Sequence, residues 1–161
     1  ILEASNHKLP KEKLEPRGMI EADIDIDGTL LHVYVTHLGL NSVERNKQVY
    51  YINDILSQRE GNIILLGDFN NHPDSEEMRI LDDRMADSAA ALNQLDQFTF
   101  AWKSPTPNVR IDRIYVSNHL ELKHHEVQPS TVSDHERVLT QILVNMLQKG
   151  GIQQEAANRD R

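Results

Sequence analysis

The amino-acid sequence predicts a layered α/β domain, and three observations carry that expectation. Ile63-Ile64-Leu65-Leu66 is a continuous apolar run that breaks at Gly67, as suits a strand covered on both faces. Ile20, Ala22, Ile24 and Ile26 alternate with Glu21, Asp23 and Asp25, the two-residue period of a half-buried strand. Between these segments Val49, Ile52 and Leu56 recur at helical spacing. Helices set between strands argue for stacked layers rather than a bundle.

Taken in order, residues 3–17 are polar, carry Pro10 and Pro16, and predict a loop. The alternating strand then meets Asp27-Gly28, a tight-turn pair, and Leu30 to Thr36 returns as the second arm of a hairpin. Asn41, with Glu44 three residues on, predicts a helix start: an Asn side chain accepts from orphan amides, and Glu complements the N-terminal dipole. That helix runs through Gln58 and stops at Gly61-Asn62, which feeds the apolar strand. A second helix is expected from Pro73 to Glu77, with Met78, Ile80 and Leu81 as its apolar surface, and a third around Ala86–Leu92. Lys103 to Asn108, with Pro105 and Pro107, predicts a turn-rich loop. Strands follow at Arg110–Ser117, His119–Val127 and Val138–Val144. The domain is thus expected over 1–147, and 148–161 as a polar, disordered tail.

Bulk properties bound the function. At 161 residues the chain is one domain or part of one. A formal net charge of −8 gives no broad footprint for polyanions. The absence of cysteine excludes disulfides and thiolate metal sites. No stretch approaches the ~20 apolar residues of a membrane span. With neither an initiating Met nor a basic n-region, the compartment stays open, the cytoplasm being the default.

Chemistry gathers at the predicted strand ends. Asp68 and Asn70 lie two apart, so in an extended chain they project together. His37 closes an apolar strand, Asp112 sits in Ile111-Asp112-Arg113, and Asp134-His135 follow Ser133. Such a set suits metal-assisted attack of water on a phosphate ester. A hard divalent cation (Mg²⁺ or Mn²⁺) takes oxygen ligands such as Asp134. The attacking water needs a base, and an imidazole is best oriented when a carboxylate takes its other N–H.

Thr36-His37-Leu38, Gly67-Asp68-Phe69-Asn70, Ile111-Asp112-Arg113-Ile114 and Ser133-Asp134-His135, in this order and spacing, resemble the endonuclease/exonuclease/phosphatase (DNase I-like) superfamily. The resemblance runs from Ile1 to Val144 and implies a four-layer α-β-β-α sandwich with a divalent metal at the top of two sheets. By the same resemblance, His37 contacts the scissile phosphate and assists the leaving group. Asp68 positions or deprotonates the water and also meets a metal, and Asn70 steadies water and phosphoryl oxygen. Asp112 pairs with His135, the base or electrostatic stabiliser, and Asp134 ligates metal.

Two departures follow from the same comparison of motifs. The family's first half brings a strand ending in Asn and a metal-ligating Glu, neither of which is in this sequence. The chain is therefore expected to be the C-terminal part of a longer domain, with an apolar sheet face to be covered by the missing segment or by another chain. It is expected to bind metal weakly and turn over poorly. Arg137 stands where the family often has Pro, which loosens the backbone beside His135.

Acidic balance favours a small-molecule, lipid or sugar phosphoester over a nucleic acid; the alternatives are a metal-dependent nuclease and a catalytically silent half-domain that binds a partner. Other residues take plainer expectations. His124 and His125, being adjacent on a strand, face opposite sides. His72 is a solvated turn residue, His32 belongs to a polar strand face, and Asp23, Asp25 and Asp27 are solvated. Arg113 either approaches phosphate or pairs with local acids, and Trp102 either packs or stacks on a base, a sugar or a lipid headgroup.

Overall fold

The structure, a computed structural model, describes residues 1–12, 15–72 and 75–144; the expected tail at 148–161 lies outside them. Eight strands and three α-helices form in the order β1 (Glu3–Lys8), β2 (Gly18–Ile26), β3 (Thr29–His37), α1 (Ser42–Ser57), β4 (Asn62–Asp68), α2 (Arg79–Asp82), β5 (Ala86–Asp87), α3 (Ser88–Ala91), β6 (Asp112–Val116), β7 (Glu121–Gln128) and β8 (Arg137–Leu143). A single 3₁₀ turn, Glu76–Met78, precedes α2. Strands β1-β2-β3-β4-β6-β5 make one six-stranded sheet, and β7-β8 make a second of two strands.

The helix expected around Ala86–Leu92 is shorter, since Ala86–Asp87 pairs with β6 and only Ser88–Ala91 is helical. That expected from Pro73, whose first two residues lie outside the described ones, is a 3₁₀ turn leading into α2. A further expectation is corrected at the start of the chain. Residues 3–8 are a strand, not loop: β1 pairs antiparallel with β2 from Glu3 opposite Asp23 to Lys8 opposite Gly18. β1 lies at the sheet edge and is almost wholly exposed, so its side chains carry no apolar period to read. The hairpin of β2 and β3 turns at Asp27-Gly28, both with positive φ (52° and 87°), as the tight turn requires.

The parallel pairing of β3 with β4 needs a crossover, and α1 supplies it. Asn41 caps α1, its Oδ1 accepting from the amides of Val43 (2.9 Å) and Glu44 (3.3 Å). Asn41→Ala leaves these donors unmatched, and a loss of about 1 kcal/mol in urea unfolding is the expected result. Val49, Ile52 and Leu56 pack on Tyr34, Ile63, Leu65, Phe69 and Tyr115, with Met78, Leu81 and Met85 closing the same core. Phe69 meets Tyr115 edge-on, ring centroids 5.5 Å apart.

The opposite face of the large sheet is also apolar. Ile20 opposes Val35, Ala22 opposes Val33, and Ile64 and Leu66 continue the row across β4. Ile20 and Val35 stay exposed, at 53% and 41%.

Glu21 is the polar hub of the α1-facing side. It accepts from Tyr34 Oη (3.0 Å) and Arg59 (2.5 Å), and meets His7 Nε2 at 2.6 Å. Burial alone raises its pKa, but the bonds to His7, Tyr34 and Arg59 outweigh that and hold it below its ordinary value; burial and the Glu21 charge push Tyr34 up to about 12. A carboxyl with a depressed folded-state pKa contributes stability above its unfolded value and loses it as pH falls through the folded one. Glu21→Gln, which removes the charge facing Arg59 and turns an NH₂ toward His7, is expected to cost about 1–3 kcal/mol at neutral pH. The gap from the unsubstituted chain should close as pH drops below 4.5, a trend that urea titrations at several pH values would read.

Candidate active site

Backbone register does most of the assembly. In the parallel pair His37 lies opposite Asp68, and in the antiparallel pair Asp68 lies opposite Asp112. Three functional residues from three adjacent strands thus share one face and one edge. Leu38 N donates to Asp68 O (2.9 Å) and Phe69 N to Ile111 O (2.9 Å), which ties the loops beyond these strands together.

The chain turns sharply just before Asp68. Gly67 has φ 143°, and a Cβ placed there would lie 1.8 Å from Thr36 O. Only glycine allows β4 to approach β3 this closely and still deliver Asp68. After Asp68 the backbone amide of Asn70 donates to Asp68 Oδ1 (2.8 Å). Asn70 itself is left-handed, φ 49°, a conformation asparagine tolerates, and its Nδ2 donates to Leu38 O (3.0 Å).

His135 arrives from the segment before β8. Its Nδ1 meets Asp112 Oδ2 at 2.8 Å and its Nε2 faces Asp68 Oδ2 at 4.0 Å, while His37 Nε2 lies 3.3 Å from that same oxygen. Asp68 therefore stands between two imidazoles. Its pKa is raised, first by burial and then by the nearby Asp112 charge, against the lowering influence of the Asn70 amide and both histidines. Burial draws His135 down, but the hydrogen bond and charge of Asp112, with the charges of Asp68 and Asp134, raise it overall.

Asp68, Asp112 and His135 offer ligand atoms all within 4.8 Å of one another. Asp134 is exposed and outside that group. His37, Asp68, Asn70, Asp112 and His135 are brought together, and Asp134 stands beside them on the rim next to His135.

Sequence reasoning missed the residues that hold this set in place. Thr99 is fully buried, and its Oγ1 accepts from the amides of Ile111 and Asp112, both at 3.1 Å, while Thr99 O takes Glu136 N at 2.8 Å. One threonine thereby fixes both members of the Asp112–His135 pair. Phe100 lies on the His135 ring, centroids 4.6 Å apart and tilted 39°. Arg113 is buried rather than facing phosphate: it donates to Tyr115 Oη (2.8 Å) and to Asn71 O (3.0 Å), beside the active loop. The signal for Arg113 was its place one residue after Asp112, which in a strand turns it to the opposite face.

The remaining histidines separate as their environments dictate. His125 is buried against Ser88 and Thr140 while His124 is exposed, as expected of neighbours on a strand. His32 lies on the polar face of its strand, opposite Asp23 and bonded to it at 2.7 Å, and is buried there; Asp23 differs from expectation, being a partner rather than a solvated acid.

The sequence profile described as Endonuclease/Exonuclease/phosphatase family matches residues 11–135, most of the chain. The chain belongs to that family. Its members are hydrolases of phosphate esters. Among solved structures it is similar to a mannosyl-6-phosphatase of Bacteroides thetaiotaomicron, with a TM-score of 0.73 and 17% identity over 89% of this chain and 67% of that one. It is similar to an endonuclease/exonuclease/phosphatase family protein of the same organism, with a TM-score of 0.76 and 18% identity over 88% and 65%. It is also similar to the D. rerio TDP2 complexed with single-strand DNA product, with a TM-score of 0.74 and 18% identity over 89% and 68%. The chain spans about two thirds of the length of these structures. No curated protein matches it. The fold is the α/β sandwich of the DNase I-like type. Among the described residues no helix is long and apolar enough to cross a membrane.

Proposed function

We propose that this chain supplies the water-activating and phosphate-contacting side chains of a divalent-metal-dependent phosphoesterase. The observation that carries this reading is the line His37–Asp68–His135–Asp112, in which one buried carboxylate faces two imidazoles and the second imidazole is oriented by another carboxylate.

Water on the Asp68 side gives its proton to the Asp68 carboxylate, while the water oxygen bonds to phosphorus. His135, whose pKa the bond and charge of Asp112 raise, faces the charge gathering on the phosphoryl oxygens. Asn70 spends one amide N–H on Leu38 O and turns the other toward phosphate. As the phosphorus–oxygen bond to the leaving group breaks, that oxygen takes a proton from His37 at the exposed rim.

The donor set fits a hard cation. Asp68 and Asp112 bring two carboxylates together, and the Asp112 charge helps to raise the pKa of Asp68, a repulsion that a cation would offset. Asp68 of that group would hold Mg²⁺ or Mn²⁺, with the exposed Asp134 turned in from outside the group as a second carboxylate, since Asp112 is committed to His135. An ion held there would supply Lewis-acid chemistry, polarising the phosphate and lowering the pKa of water.

The test pairs binding with turnover. Mn²⁺ should broaden the amide NMR signals of Asp68, Asn70 and His135 first. Bis-p-nitrophenyl phosphate should be hydrolysed with Mg²⁺ or Mn²⁺, poorly by the chain alone and faster when a polypeptide carrying the family's Asn-ended strand and Glu is added, and not with EDTA present. Broadening confined to other acidic residues would sink the metal assignment, and EDTA-resistant turnover would sink the mechanism. The exposed Ile20–Val35 face favours a second reading, a module that takes up a further segment of the domain or another chain. Association with such a polypeptide, without turnover in the mixture, would favour that module.

A further inference from the structure

We propose that Trp102 and Lys103 form a nucleobase platform beside the reacting centre, so that the ester this site takes is a nucleoside phosphate. The inference rests on the phosphoesterase reading for the site and adds the class of substrate.

The observations begin at His135. Phe100 lies on its ring at 4.6 Å, and Trp102 follows at 6.5 Å from Phe100 with 43° between the planes. Two aromatic steps therefore lead from the Asp112–His135 pair to solvent. Trp102 ends 55% exposed, although a large apolar ring placed for packing would bury itself. Its position is built rather than loose. Trp102 N donates to Asn108 Oδ1 (2.7 Å) and Asn108 Nδ2 donates back to Trp102 O (3.0 Å). Phe100 and Val109 exchange backbone bonds at 3.0 and 3.2 Å below this clasp, and Ser104 Oγ accepts from Thr106 N at 3.3 Å above it. Pro105 and Pro107 stiffen the return. Lys103 is left-handed at φ 48° and carries its ammonium 5.4 Å from the indole centroid. A strained, clasped tip that displays an indole and one cation to solvent is costly as mere loop.

Chemistry selects the occupant. A sugar ring on an indole needs flanking carboxylates or amides for its hydroxyls, and Asn108, the amide of this loop, is engaged with Trp102. A planar base asks only for a ring face, and stacking serves any base. A long polymer would want a track of cations, against which stand the net charge of −8 and the single Lys103 at this tip. One nucleoside with its phosphate at His135 and its base at Trp102 satisfies both.

Trp102 is the sole tryptophan of the chain, so its fluorescence reports this site alone. Adenosine 5′-monophosphate should quench it saturably, and ribose 5-phosphate should bind without quenching. By calorimetry, Trp102→Ala should weaken adenosine monophosphate about 5- to 150-fold and leave ribose 5-phosphate unchanged. Equal affinity for the two ligands, or absence of quenching, overturns the platform. Bis-p-nitrophenyl phosphate turnover, followed in the same preparations, shows separately whether the phosphoesterase reading stands.

Discussion

Gly67→Ala is expected to lower the melting temperature by more than about 10 °C and to remove most native amide signals at 37 °C. Two effects add at this residue. At φ 143° a side chain is strained wherever it has room, and the new Cβ would lie 1.8 Å from Thr36 O. Nothing flexible can yield, because the obstacle is backbone in the parallel pairing of β3 with β4. Relief would require separating the strands that align His37 with Asp68 and bury Tyr34 and Leu65. A loss of more than ~4 kcal/mol is a large share of the ~5–15 kcal/mol that a domain holds. A variant melting within a few degrees of the unsubstituted chain would show that the close approach is dispensable.

His135→Ala should cut metal-dependent hydrolysis of bis-p-nitrophenyl phosphate by about 10²–10⁴-fold in any preparation or mixture that turns it over. The variant loses the imidazole that faces the phosphoryl oxygens and leaves Asp112 without its partner. The stability change should be small beside this, since the ring is only half-buried and its stack on Phe100 is worth about 0.5–1.5 kcal/mol. Asp112→Asn, which keeps the shape and removes the charge, should fall between the two and shift the pH profile downward as His135 loses its raised pKa. Turnover by His135→Ala within tenfold of the parent would end the role assigned to this imidazole.

Local chemistry explains which parts were legible in the sequence. The β2–β3 hairpin was written in strict alternation and Asp27-Gly28, and α1 in its Asn41 cap and helical spacing. The strand ends bearing His37 and Asp68 were legible because an apolar run reports a buried strand and the polar residue after it reports the edge, whereas Asp112 opens β6 and was legible from its motif Ile111-Asp112-Arg113. Strand β1 was not, since an edge strand with polar residues on both sides differs from a loop only through its partner. Thr99 and Asn71 were equally invisible: the threonine acquires its role from the amides of Ile111 and Asp112, and the Asn71 carbonyl from the Arg113 guanidinium, all far along the chain.

The order of four short motifs determined, with no coordinates, the family and the set of side chains available for chemistry. Tertiary structure alone decided how they meet: strand register put His37, Asp68 and Asp112 on one face, and the Thr99 clasp carried His135 in from 23 residues beyond Asp112. It also decided that Arg113 supports the loop from within and that Trp102 stands in water. The division has a physical cause. Side-chain identity and local period act over a few residues, whereas hydrogen-bond register and burial depend on partners that only the folded chain brings into contact.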